Sequence, residues 1–280
     1  MTEANITKAQ SNRLYKTMKN LHDVFLKNNM AYWVTGGSLL GAIRHRGLIP
    51  WDDDGDVCIM RKDVPTLRSL IPWFEKQGYI IEEGTVCDED GEEMECTKKK
   101  DSCTWFLEHK SPDSLGVDIF VMDRLGPLIT YADPYWRTAS NGGRTCYFLY
   151  KDVFPLIGQP FGNFWVLTPY NPVEHLNTCY GTDWTSMCQR LFDHREGKWI
   201  DSKKRRMGAE QYRTPTAPSS TCDLNPPKLK KCIKSTTKNC NLDDLDEKEI
   251  KMLAKLYNIK NYRSRTITYL KKHLRKSLVQ

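Results

Sequence analysis

The sequence predicts a mixed helix-and-strand core, α+β or α/β, followed by a small helical appendage. Two patterns carry this expectation. Through residues 7–122, apolar positions at helical spacing alternate with short apolar runs bounded by Gly, Pro and Asp. After a polar stretch, helical spacing returns over residues 242–278. Such alternation favours helices packed on a sheet.

Taken in order, Leu14, Met18, Leu21, Phe25 and Leu26 within residues 7–30 mark an amphipathic helix. Ala31 to Thr35 reads as a short buried strand running into the Gly36-Gly37 turn. Ser38 is expected to cap a helix through Leu39, Leu40, Ala42 and Ile43, which Gly47 and Pro50 end. Val57, Ile59 and Met60 mark a second strand, with Gly55 expected to delay its start to Asp56. A helix over about Pro65–Lys76, a strand at Tyr79–Glu82, a charged loop over 87–101 and strands at Thr104–Glu108 and Leu115–Met122 follow. Between Asp123 and Pro172 the sequence is aromatic and rich in Gly and Pro, and assigns poorly; Val173–Tyr180 reads as a short helix.

Composition sets outer bounds. The chain has 280 residues, 39% hydrophobic and 28% charged, which suits a soluble globular protein of one or two units. No apolar run approaches the ~18 residues needed to span a bilayer, and the N-terminal stretch is polar, so a cytoplasmic location is the default expectation. The ten cysteines show no CxxC pair and no zinc-type spacing. Free thiols are the first reading and disulfides in a luminal protein the second. The net charge of +7 is uneven: residues 201–280 carry 20 Lys/Arg against 8 Asp/Glu, a net +12, which leaves −5 for residues 1–200. The expected organisation is a catalytic domain over 1–200, a basic Pro/Ser/Thr-rich linker over 201–241 and a helical hairpin over 242–280.

The strongest feature is a spaced constellation: Gly36-Gly37-Ser38, then Asp54 and Asp56, then Asp118 within LGVDIFVM. A strand–Gly–Gly–Ser–helix unit lets the backbone approach an anion and presents helix N–H groups to it, a phosphate cradle. Asp54 and Asp56, two apart on a strand, send both carboxylates to one face. Like charges so placed suit a divalent cation with oxygen ligands. Asp118 is a charge in an apolar strand and needs a partner; a metal would supply one. Arg44 and Arg46 lie between cradle and acids, where a guanidinium fork suits a diphosphate. Trp51 either stacks on a base or packs the turn.

On these residues, GGSLLGAIRHRGLIPWDDDGDVCI resembles the signature of the LicD family, which includes the fukutin-related proteins, and the likeness continues more weakly through GVDIFVMD and YNPVEHLNTCYGTDW. The resemblance implies an α+β nucleotidyltransferase core of the DNA-polymerase-β type. It implies Mg²⁺ or Mn²⁺ held by Asp54 and Asp56, with Asp118 completing the catalytic site. It further implies transfer of a phospho-alcohol group, such as phosphocholine or ribitol phosphate, from a CDP-linked donor to a glycan acceptor. Gly55 departs from the family pattern, in which an apolar residue separates the two acids, and this leaves Asp52 and Asp53 as lower-ranked competing ligands.

Two other functions compete: transfer of a nucleoside monophosphate to protein, RNA or a small molecule, and a non-catalytic binding module that kept the fold. The tail, LDEKEIKMLAKLYNIKNYRSRTITYLKKHL, resembles a SAP-type helical module, which adds nucleic acid or another polyanion as a candidate partner.

Overall fold

A computed structural model describes residues 6–84, 103–138, 146–188 and 260–277, short pieces at 86–87, 93–94, 192–193, 198–199 and 205–208, and single residues 247, 250, 251 and 254. Its helices are α1 (Lys8–Lys27), α2 (Gly36–Arg44), α3 (Val64–Lys76), α4 (Pro134–Thr138), α5 (Tyr150–Val153), α6 (Pro172–Tyr180) and α7 (Ile267–Ser277). Its strands include β1 (Tyr32–Val34), β2 (Gly55–Met60), β3 (Tyr79–Glu83), β4 (Val86–Cys87), β5 (Glu93–Met94), β6 (Thr104–His109), β7 (Val117–Leu125), β8 (Leu128–Tyr131), β9 (Tyr147–Leu149), β10 (Ile157–Phe161) and β11 (Phe164–Thr168).

One mixed sheet organises the molecule. Its path is β1-β2-β7-β6-β3, with β8 and β9 continuing from β7. β2 and β7 are parallel; the other pairs in the sheet are antiparallel. An α+β architecture therefore holds. The parallel pair puts Asp56 directly beside Asp118.

α1 forms where Thr7 and Gln10 close a capping box. It buries Leu14, Tyr15, Met18, Leu21 and Phe25, the spacing expected of one helix face. Its Leu14 and Met18 explain Gly55. A Cβ there would come within 2.9 Å of the Met18 sulfur and 3.2 Å of a Val117 methyl, so a side chain would fit only if these neighbours shifted. The strand accordingly begins at Gly55 rather than Asp56; tertiary packing overrides the residue's weak strand propensity.

The stretch from Asp123 to Pro172, opaque in sequence, holds β8, α4, β9, α5 and the β10–β11 hairpin. These are short elements: β8 pairs with β7 and β10 with β11 through tight turns, and the β10–β11 hairpin packs on β1 and α2, far away in sequence. Arg61, just after β2, and Asp123 of β7 form a two-pronged ion pair at 2.5 and 2.8 Å. Part of the basic run lies in a short ladder, Arg205–Arg206 with Met187–Cys188, and Met207 is buried in the main core. The core thus extends past residue 200. Residues 209–241 of the expected linker, and 242–246 of the expected hairpin, lie outside the described residues. Ile250, Ala254, Leu270 and Leu274 form a second apolar cluster with Leu128 and Tyr147 of β8 and β9, so the C-terminal helix packs on the sheet.

Cys58, Cys103, Cys146, Cys179 and Cys188 are buried free thiols; the other five cysteines fall outside the described side chains. Among the described residues no helix is long and apolar enough to cross a membrane.

Candidate metal and transfer site

The three carboxylates expected from sequence converge. One oxygen from each of Asp54, Asp56 and Asp118 lies within 4.8 Å of the others, at half-buried positions. Asp56 and Asp118 are register neighbours on parallel strands, and Asp54 stands one residue before β2. Register neighbours project to the same face of a sheet, so pairing rather than chain proximity joins residues 56 and 118.

Asp56 is the most constrained of the three. Its backbone N–H donates to Ser38 Oγ at 2.9 Å, and its Oδ2 accepts from the Ser38 backbone N–H at 3.2 Å. Its backbone carbonyl accepts from the Thr35 N–H at 3.1 Å. Burial raises its carboxyl well above the usual range, and the charges of Asp54, Asp52 and Asp118 raise it further, against a lowering by the Ser38 N–H. A half-buried cluster of acids that repel one another fits a hard divalent cation held by oxygen ligands.

The glycines acquire a more specific reason than a generic turn. Gly36 has φ +48°, and a Cβ on it would lie 2.6 Å from Asp56 Oδ2. A Cβ on Gly37 would collide with the Asp52 carboxylate. The cradle is therefore filled first by the protein's own carboxylates. Ser38 is not the helix cap: α2 starts at Gly36 with Thr35 as N-cap, and the Thr35 side chain caps nothing. The Thr35 hydroxyl is used elsewhere, 3.1 Å from Tyr131 Oη and 3.1 Å from His175 Nε2.

Arg44 donates from Nη1 to the carbonyls of Trp184 at 2.7 Å and Met187 at 3.1 Å, fastening the segment after α6. Arg46 is exposed, at φ +59°. Trp51 is buried, edge-on to His45 at 5.9 Å between ring centroids, so it packs the turn.

His175 and Tyr131 are not among the residues expected from sequence, and Tyr180 is expected only as the end of a helix. His175 lies flat on Phe148 with centroids 3.7 Å apart, and burial lowers its pKa to about 3, so it is neutral. Its Nδ1 is buried with no hydrogen-bond partner. An orphan acceptor is less costly than an orphan donor, which favours Nε2–H donating to Thr35. Tyr180 ends α6, and its phenol is raised first by burial and then by Asp56, with Asp52 and Asp54 contributing. The hydrogen bonds from Thr35 to Tyr131 and His175 span 96 and 140 residues, beyond the reach of any local pattern.

Comparisons with known proteins agree with this layout. The family model described as "LicD/FKTN/FKRP, nucleotidyltransferase domain" matches residues 29–171, 143 of 280 residues and so just over half of the chain. An uncharacterised protein of Rickettsia typhi is 33% identical over 175 residues, covering 62% of this chain and 48% of that protein. The lipopolysaccharide cholinephosphotransferase LicD of Haemophilus influenzae is 34% identical over 106 residues, 36% of this chain and 38% of its own. The mouse ribitol 5-phosphate transferase FKRP is 29% identical over 168 residues, 60% of this chain and 31% of its own. The chain thus spans about half the length, or less, of these curated relatives. A lincosamide adenylyltransferase, LnuA, superposes with a TM-score of 0.33 at 17% identity, over 59% of this chain and 82% of that one. With the family model spanning the glycine turn, the paired acids and the third acid of the sheet, the chain belongs to the LicD family.

Proposed function

We propose that this chain is a divalent-metal-dependent phosphotransferase that moves a phospho-alcohol group from a CDP-linked donor to a glycan acceptor, on a nucleotidyltransferase core of the DNA-polymerase-β type. The observation that carries the reading is the convergence of Asp54, Asp56 and Asp118, with Asp56 clamped by the Gly-Gly-Ser turn. The named relatives support the transferase class, since one carries cholinephosphate and another ribitol 5-phosphate in its name.

Asp54, Asp56 and Asp118 would hold Mg²⁺ or Mn²⁺. A bound cation supplies charge neutralisation at the phosphates and a fixed anchor for them. Gly36, Gly37 and Ser38 serve donor binding mainly by allowing Asp52 and Asp56 to close on the helix start, with Ser38 aligning Asp56. Arg46, exposed beside the site's sequence segment, is assigned to the donor diphosphate, whereas Arg44 acts by tethering residues 184–187. Asp118 is assigned to orient the acceptor hydroxyl and take its proton as the acceptor oxygen bonds to the distal phosphorus and CMP leaves.

The test is a thermal-shift and turnover series with CDP-ribitol and CDP-choline, with and without Mn²⁺, on wild type, Asp54→Asn and Asp56→Asn. Wild type should be stabilised by donor only with the ion. Both variants should lose turnover while keeping the native circular-dichroism spectrum. Wild-type turnover in either variant, or transfer of the cytidylyl half of the donor, overturns the reading.

A further inference from the structure

β6 carries an exposed aromatic ring beside the acid cluster that the site described above does not use. Phe106 is the register neighbour of Asp118, so both side chains leave the same face of the sheet. It is 37% exposed, unusual for a large apolar residue inside a mixed sheet. Its ring does not turn away from the acids. Ring carbons Cε2 and Cζ occupy the place where a Cβ on Gly116 would stand. Gly116 lies two residues before Asp118, and its carbonyl accepts from the N–H of Gly55, between the paired acids, at 3.0 Å. The absent side chain at residue 116 is what lets the ring lie down against the floor of the site.

The same face continues outward. Glu82 on β3 is paired with Phe106, and Ile80 on β3 with Glu108 on β6. Ile80 is 39% exposed, and Glu82 is exposed too. Glu108 is half-buried, and burial raises its carboxyl above the ordinary range. With strands about 4.8 Å apart, the shelf runs about 10 Å from Asp118 to Glu82, the reach of one or two sugar rings. It is apolar along its middle and lined by carboxylates.

We infer that Phe106, with Glu82 and Glu108, forms the acceptor subsite of this enzyme, taking a neutral polyhydroxylated sugar ring with its C–H face on the Phe106 ring. The inference rests on the proposed transferase reading and extends it to named residues. Three physical points favour a sugar. The attacking hydroxyl must come within about 3–3.5 Å of phosphorus, so the acceptor ring has to lie against the metal-holding acids. The nucleobase of a CDP-linked donor is held away from the reacting phosphorus by a second phosphate and a ribose. A carboxylate-lined shelf repels phosphate but accepts charge-assisted hydrogen bonds from hydroxyls, while the aromatic face shelters apolar C–H groups.

The experiment is saturation-transfer NMR on the full chain with Mg²⁺, using the methyl β-glycosides of galactose, N-acetylglucosamine and xylose and, separately, CDP as probes. At least one glycoside should receive saturation in wild type. Phe106→Ala should weaken its binding roughly five-fold and Phe106→Tyr should restore it, with both variants melting close to wild type. Saturation of the CDP cytosine protons should be unchanged by Phe106→Ala. No glycoside signal in wild type, or an equal one in Phe106→Ala, overturns the inference, and so does selective loss of the cytosine signal. Failure of CDP to bind wild type at all would count against the transferase reading, while the glycoside comparison still decides the role of Phe106.

Discussion

Ser38 and Asp56 hold each other by two hydrogen bonds: the Asp56 N–H to Ser38 Oγ at 2.9 Å, and the Ser38 N–H to Asp56 Oδ2 at 3.2 Å. A turn that looks like a phosphate cradle in sequence is, in the fold, a clamp on a carboxylate. Ser38→Ala leaves the Asp56 N–H buried without its acceptor and should cost about 1–2 kcal/mol in stability. Mn²⁺ affinity should fall several-fold because the carboxylate is no longer aligned. Manganese titration by calorimetry checks this; unchanged affinity would show that the clamp is only structural.

Asp56 sets a pH dependence whose sign follows from its environment. Burial first, and the neighbouring acids next, make it hold its proton more tightly folded than unfolded. The folded state therefore binds more protons above the ordinary value of 3.8, and this contribution to stability is lost as pH rises through the raised value. Asp56→Asn should remove that decline, so the metal-free variant should gain stability relative to wild type as the pH rises. Since the cation displaces the proton, the Mg²⁺-induced rise in Tm should grow with pH in wild type and be absent in the variant. Melting curves at several pH values, with and without Mg²⁺, decide it.

Two buried histidines give the opposite slope at acid pH. Burial lowers His22 to about 4 and His175 to about 3 from an ordinary 6.5. The unfolded chain takes up protons first as pH falls below 6.5, so stability falls from there down through those values, on the order of 1 kcal/mol per pH unit for each group. His175→Phe keeps the ring against Phe148 but cannot titrate. Its stability should start lower, for want of the Thr35 contact, and decline less steeply between pH 6.5 and 4. A slope equal to wild type would contradict the buried neutral state.

The C-terminal helix is anchored by apolar packing. Leu274 and Leu270 are fully buried against the cluster that includes Leu128 and Tyr147. Leu274→Ala should cost about 2–4 kcal/mol locally. Hydrogen exchange should then speed up over residues 267–277 with little change in β2 and β7. Uniform acceleration across the sheet would instead mean that the tail and the core unfold as one unit.

Legibility in the sequence followed the range of the interactions. α1, α3 and the strands β2, β6 and β7 were readable, because a single buried face imposes its period on neighbouring residues. The region after Asp123 was not, because β8, β9 and the β10–β11 hairpin are short and their aromatic, Gly- and Pro-rich sequence imposes no clear period. Thr35 shows the limit well. Nothing near it in sequence announces Tyr131 and His175, yet they hold its hydroxyl. The cap misassigned to Ser38 has the same origin: its hydroxyl is occupied by a strand 18 residues away.

By itself the sequence determined the inventory of this site: a glycine turn before a helix, two acids of one face and a third acid in an apolar strand. Local periodicity and side-chain chemistry suffice for that. Only the tertiary structure decided the assembly. Parallel pairing of β2 with β7 sets Asp56 beside Asp118, the missing side chain at Gly116 lays Phe106 against them, and α1 pressing on Gly55 explains why that residue is bare. These are relations between strands and helices far apart in the chain, and close packing fixes them where no local pattern can.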